Sequence, residues 1–390
     1  MKKLLLIIIT SILFLHCDIK PKQSSESPSD NVAFVVTTDY SIGSYSTIGL
    51  ESLNPYGDLG PGLIHSDAVA RYHNNRVYIV NRLGRDNIQV LDPAENFKTI
   101  QEISTGSSSN PHDIIIINSQ KAYVSLYGET YLLVLNPESG ETISTIDLSL
   151  YAENSNGVPN MSQMYLHGNR LFIAIQRLNS SWAPGEYSSV IVIDTDSDSI
   201  LKEIQLQWDD GSGGTVAPTN PYTRFRFVSS ATWQPSTPDG NDHLFISCTG
   251  LFGFLFQLDG GIIAIDIKDL QVEQGFVLSE ETIGTEITDF IITEPGVGYA
   301  VTSDEKFKSS LIKFDINRGT VLKIMHENSD NLGSLWSLAY HKSSGRLFVC
   351  DRTATNPGIR IYNTLENDLP LNNNNPISTG LPPFEIIFIE

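Results

Sequence analysis

Asn110-Pro111-His112-Asp113-Ile114-Ile115-Ile116-Ile117-Asn118-Ser119-Gln120-Lys121-Ala122-Tyr123-Val124-Ser125-Leu126 reads as two short strands joined by a polar turn. Each apolar run is bounded by turn formers and is too short for a helix. After a brief break come Leu132-Leu133-Val134-Leu135, the turn Asn136-Pro137-Glu138-Ser139-Gly140, and a fourth run from Glu141 to Leu148. Four strands make one unit, and the unit recurs along the chain.

Its marker is an aromatic residue inside a β-branched run, at Phe34, Tyr78, Tyr123, Phe172, Phe245, Tyr299 and Phe348. The spacings, 44, 45, 49, 73, 54 and 49 residues, lie in or just above the range of four-stranded propeller blades. After nearly every marker an Asp or Asn opens a turn, at Asp92, Asn136, Asp194, Asp266, Asp315 and Asn363. A short acceptor there caps amides two residues on, as an Asx turn. No stretch carries a sustained helical period with caps, so the expected fold is all-β, a seven-bladed β-propeller.

The two ends predict how the ring closes. No strand precedes the Phe34 run, whereas the chain finishes on Pro383-Phe384-Glu385-Ile386-Ile387-Phe388-Ile389, which matches Pro111-His112-Asp113-Ile114 in position. Residues 381–390 are therefore expected to supply the innermost strand of a first blade built otherwise from residues 31–60, leaving no open ring edge.

Ala122-Tyr123-Val124-Ser125-Leu126-Tyr127-Gly128, Val134-Leu135-Asn136-Pro137-Glu138-Ser139-Gly140-Glu141-Thr142 and Ser104-Thr105-Gly106 with Pro111 resemble the YVTN family of bacterial seven-bladed propellers, which includes the YncE-like proteins. The resemblance spans most of 31–390 and is sharpest over 66–149, with Tyr78-Ile79-Val80-Asn81 as the nearest echo of the name motif. It implies a fold more than an activity, because propellers host many functions.

Lys2-Lys3, the apolar run Leu4 to Leu15 and then Cys17 read as a secretory signal, too short to span a bilayer. Residues 1–16 are expected to be a signal peptide and 17–30 a flexible tether, with Cys17 as the lipidated residue and 31–390 as one propeller domain. The expected location is a bacterial cell envelope, periplasmic or surface-exposed, at the outer membrane rather than the inner. Membrane contact is then through the lipid anchor only. Cys248 and Cys350 sit in equivalent places two blades apart, beyond disulfide reach, and are expected to be buried thiols.

The chain has 25 basic and 45 acidic residues, a net charge of −20. Such a surface repels phosphate backbones, so no nucleic-acid partner is expected, and the protein is read as a monomer.

Two places could carry a site. The first is the channel mouth, where the innermost strands begin with Asp67, His112, Asp113, Gln163, Asp289, Ser337 and Glu385, beside Arg82, Tyr127, Arg177, Asp304 and Arg352 on neighbouring loops. Asp67, His112, Asp113, Asp289 and Glu385 could hold a divalent cation or serve a lactonase-like hydrolase; the same carboxylates could instead accept backbone amide bonds. The second is a pair of long hairpins in the fourth and fifth blades, carrying Trp182, Tyr187, Phe252 and Phe254, which could form a patch for a protein or glycan partner. That non-enzymatic binding reading is the leading one.

Asp194-Thr195-Asp196-Ser197-Asp198 has Ser199 and Gln205 where a calcium loop needs Gly and an acid, so it reads as the repeat turn. The chain contains no G-x-S-x-G, H-E-x-x-H or C-x-x-C pattern. No catalytic residue, resident cofactor or metal ligand is therefore assigned.

Overall fold

The computed structural model describes residues 31–56, 63–153, 155–251, 256–328 and 335–390. The expected signal peptide and tether, Cys17, Phe252 and Phe254 lie outside the described residues.

Among the described residues seven antiparallel sheets are arranged as the blades of a β-propeller, and an eighth, two-stranded sheet pairs Trp208–Asp209 with Thr215–Val216. The third blade is the plainest, with Pro111–Asn118, Lys121–Leu126, Tyr131–Leu135 and Thr142–Asp147 from the channel outward. Its two middle strands are almost wholly buried and its outer strand is exposed. That gradient explains the unbroken apolar runs: a strand covered on both faces by neighbouring blades has no reason to alternate. In the fifth and seventh blades the outermost place is shared by two short strands, Gln271–Val272 with Leu278–Ser279, and Leu369–Pro370 with Ile377–Ser378. The only α-helix among the described residues is Glu280–Ile283, and none is long and apolar enough to cross a membrane.

All seven marker aromatics lie on the second strand of their blades and are buried. Where the marker is Tyr, its hydroxyl needs a partner. Tyr123 donates to Asp198 of the fourth blade, and Tyr299 donates to Asp368 of the seventh at 2.5 Å, so two markers tie neighbouring blades together. The six repeat turns form as read: Asp92, Asn136, Asp194, Asp266, Asp315 and Asn363 each accept the backbone N–H two residues on, at 2.6–3.1 Å. Asp194 also takes the Ser197 amide, while Asp198 faces Lys121. The oxygens of this segment are thus engaged in turn and blade contacts.

Closure follows the expectation. Pro383–Ile389 runs antiparallel to Val32–Thr38, with Phe34 opposite Ile387 and Val32 opposite Ile389. The first blade is therefore completed by the C-terminal strand. Cys248 and Cys350 are both buried and unbridged.

Candidate functional site at the channel mouth

In each blade one innermost-strand residue stands directly across the ladder from the marker aromatic. These residues are Ile387, Arg71, Ile115, Tyr165, Arg226, Ile291 and Ala339 in blade order. Counting back two residues gives Glu385, Val69, Asp113, Gln163, Arg224, Asp289 and Ser337. Three of these are acids, and all three do the same thing. Asp113 Oδ2 accepts the Met164 N–H at 2.9 Å, Asp289 Oδ2 accepts that of Leu338 at 2.8 Å, and Glu385 Oε2 accepts that of Ala70 at 2.6 Å. Each bond runs to the innermost strand of the following blade. A bulge at the acid re-aims the side chain: register shifts occur at Pro111/Asp113, at Ile287/Asp289 and beside Glu385.

The remaining oxygens of these acids meet arginines. Arg71 reaches Asp113 at 2.6 Å, Glu385 at 3.2 Å and the Gln163 amide oxygen at 3.0 Å. Arg224 crosses the channel from the fifth blade to Glu385, and Arg226 pairs with Asp289 at 3.3 Å. Asp67, nearer the mouth, accepts from Arg82 Nε at 3.0 Å. Burial alone would raise Glu385, but Arg224 and Arg71 hold it below its ordinary value. Burial raises Asp289 above its ordinary value despite Arg226. Arg71, Arg224 and Arg226 went unnoticed in the sequence. The signal was there: at the place opposite the marker, five blades carry apolar or aromatic residues and two carry Arg.

This lattice floors a cavity of about 100 Å³ whose walls include Arg82, His112, Gln176, Trp336 and Phe384. Aromatic rings climb from it on two sides. On one side His112 stacks on Tyr127 at 4.3 Å, and Tyr127 lies parallel to Trp182 at 6.3 Å. The Tyr127 hydroxyl donates to Gln176 Oε1 at 2.6 Å, which fixes the middle ring. Burial, and then the Arg82 guanidinium, holds the His112 imidazole well below its ordinary 6.5, so it is neutral at neutral pH. On the other side Phe384 stacks on Trp336 at 5.6 Å, with Arg82 and Arg352 each 5.8 Å from its ring centre. Arg352 also covers the exposed Tyr40 at 4.6 Å and, among the described residues, donates to backbone carbonyls, including those of Thr38 and Pro383.

The five channel residues singled out in the sequence, Asp67, His112, Asp113, Asp289 and Glu385, thus lie in one ring region, each acid facing a guanidinium. Of the hairpin aromatics, Trp182 is exposed and overhangs this mouth, while Tyr187 is half-buried under Arg177 at 4.0 Å. No ring contact joins Trp182 to Tyr187 among the described residues.

No protein-family model matches the chain, and no curated protein matches it. Solved structures resemble it at the level of fold. A proposed 6-phosphogluconolactonase from Bacteroides fragilis aligns with TM-score 0.58 at 14% identity, over 94% of this chain and 100% of that one. A second from Bacteroides uniformis gives 0.58 at 13%, over 92% and 100%. Apo AztD from Citrobacter koseri gives 0.50 at 12%, over 92% and 98%. At such identities the likeness establishes the seven-bladed fold and nothing finer.

Proposed function

We propose that this chain is an exported, lipid-anchored propeller of the YVTN kind that binds, without catalysis, an acidic glycan at the channel mouth. The observation that carries the reading is the ring column from exposed Trp182 through Tyr127 to His112, which leads to an arginine-rich floor. Ring faces pack against sugar rings, and Arg352, which donates to backbone carbonyls and has no salt bridge among the described residues, is the guanidinium left to take a ligand carboxylate. On a protein of net charge −20, an anionic ligand needs such an unbridged cation, since Arg71, Arg82, Arg224 and Arg226 already face Asp113, Asp67, Glu385 and Asp289. The channel carboxylates support binding over metal chemistry, because each is already held by arginine and three also by a backbone amide. The membrane tether is Cys17.

Titration of the full-length protein with uronate-containing oligosaccharides, followed by tryptophan fluorescence and calorimetry, tests this. Binding should exceed that of neutral oligosaccharides of equal length, and Trp182→Ala should weaken it at least tenfold, about 1.4 kcal/mol. Equal binding of neutral and acidic sugars, or none of either, overturns the reading. Anchoring is tested separately: Cys17→Ala should release the protein from membranes.

The lactonase-like alternative has one point in its favour, the neutral His112 beside the cavity, placed to accept a proton. Lactone hydrolysis lost on His112→Ala would establish it in place of the binding reading.

A further inference from the structure

A second cluster lies at the far end of the fifth blade. His243 opens the second strand, His243–Cys248, and stands opposite Asp266 at the end of the third, Gly261–Asp266. Asp239 lies in the turn before His243, and Glu273 follows the short outer strand Gln271–Val272. Innermost strands begin at the channel mouth, so the second strand begins on the opposite face, away from the arginines. One ligand atom from each of Asp239, His243, Asp266 and Glu273 lies within 4.8 Å of the others.

The imidazole is the informative member. His243 is 1% exposed, and among the described residues neither ring nitrogen has a hydrogen-bond partner. Buried polar atoms are rarely left so. Nε2 nevertheless points into the carboxylates, 3.3 Å from Asp239 Oδ2 and 3.6 Å from Glu273 Oε1. Ligand atoms about 2.0–2.2 Å from a tetrahedral zinc ion stand about 3.4 Å apart, so two of the separations already fit. Surrounding groups fix the set. Trp233 meets the His243 ring edge-on at 4.7 Å, and Asp266 is braced by the Lys268 and Asp269 amides on Oδ1 and by Asn241 Nδ2 on Oδ2. Such bracing orients metal ligands. Asp239 and Glu273 are about one-third exposed, which leaves an entry path.

We propose that Asp239, His243, Asp266 and Glu273 form a binding site for a divalent transition-metal ion, with zinc as the best match to one imidazole and three carboxylates. Three negative charges around a doubly charged ion leave one, which suits a site on an open surface. The site holds the second and third strands, the end of the outer strand and the preceding turn together, so its role is to lock the outer part of the fifth blade. It is separate from the channel mouth.

Full-length protein without a histidine tag, stripped with chelator, is titrated with Zn²⁺ by calorimetry and its bound metal measured after dialysis. The expected result is one tightly bound zinc per chain, a melting temperature that rises with zinc, and retention against about a thousandfold excess of Mg²⁺. Asp239→Asn and Glu273→Gln, at half-open positions that should not disturb folding, each weaken zinc at least tenfold, and Trp182→Ala leaves it unchanged. Absence of stoichiometric zinc, or zinc bound equally by both variants, overturns the site.

Discussion

Glu385 Oε2 accepts the Ala70 N–H at 2.6 Å, so the C-terminal strand that completes the first blade is also tied to the second. Its other oxygen meets Arg71 and Arg224. One side chain thus links the first, second and fifth blades across the channel.

Removing residues 381–390 should therefore expose the edge of Val32–Thr38 and leave the half-buried Arg224 without its carboxylate, while Arg71 keeps Asp113. Glu385→Gln is the milder test, because it leaves the strand but not the charge. Losing a charged hydrogen-bond partner at a half-buried site costs about 1.5–3 kcal/mol, so this variant should melt below the parent protein, and the truncation lower still. A truncated chain that melts with the intact one would refute the closure.

The ring was legible in the sequence because its causes are local. A marker such as Tyr123 must be buried between blades, and a turn opener such as Asp266 must cap its own amides; neither depends on distant residues. The channel floor was only half legible. Asp113, Asp289 and Glu385 were found from their place at strand starts, but their partners were not, since Arg71 and Arg224 meet Glu385 only after 314 and 161 intervening sequence steps have closed on themselves. The His243 cluster was missed for a related reason: Asp266 reads fully as a repeat turn, and it is one, so nothing in the spacing hinted at a second use.

The Asp368 carboxylate is 2% exposed and is shared by the Tyr299 hydroxyl at 2.5 Å and Lys313 Nζ at 3.2 Å. Asp368→Ala leaves a half-buried ammonium and a buried phenol without this acceptor. Denaturant unfolding should show a loss of about 3 kcal/mol. Tyr299→Phe, which removes only one hydroxyl, should cost about 1 kcal/mol. Equal losses in the two variants would mean that Lys313 draws nothing from this contact.

Cys350 is fully buried, and burial pushes its thiol up to about 12; burial also raises the Cys248 thiol. Thiolate, not thiol, is the nucleophile. The folded domain should leave both unreactive toward a disulfide reagent near neutral pH, and both should react on unfolding. Rapid modification of either in the native state would contradict their burial.

Glu280 gives the protein a pH dependence of its own. Its side chain is fully buried and accepts the Ile287 N–H at 2.8 Å and the Gly260 N–H at 3.1 Å. Burial pushes it from an ordinary 4.5 up to about 8, even though those two amides favour the charged form. Between these values the folded protein keeps a proton that the unfolded chain has released. Stability from this group is therefore present below about pH 4.5 and is lost progressively as pH rises to about 8. Glu280→Gln cannot titrate, so its cost should be constant while that of the parent grows with pH. Denaturant unfolding of both proteins from pH 5 to about 9 should show the variant gaining on the parent as pH rises. Parallel curves across that window would mean that Glu280 is already ionised in the fold, stabilised by its two amides.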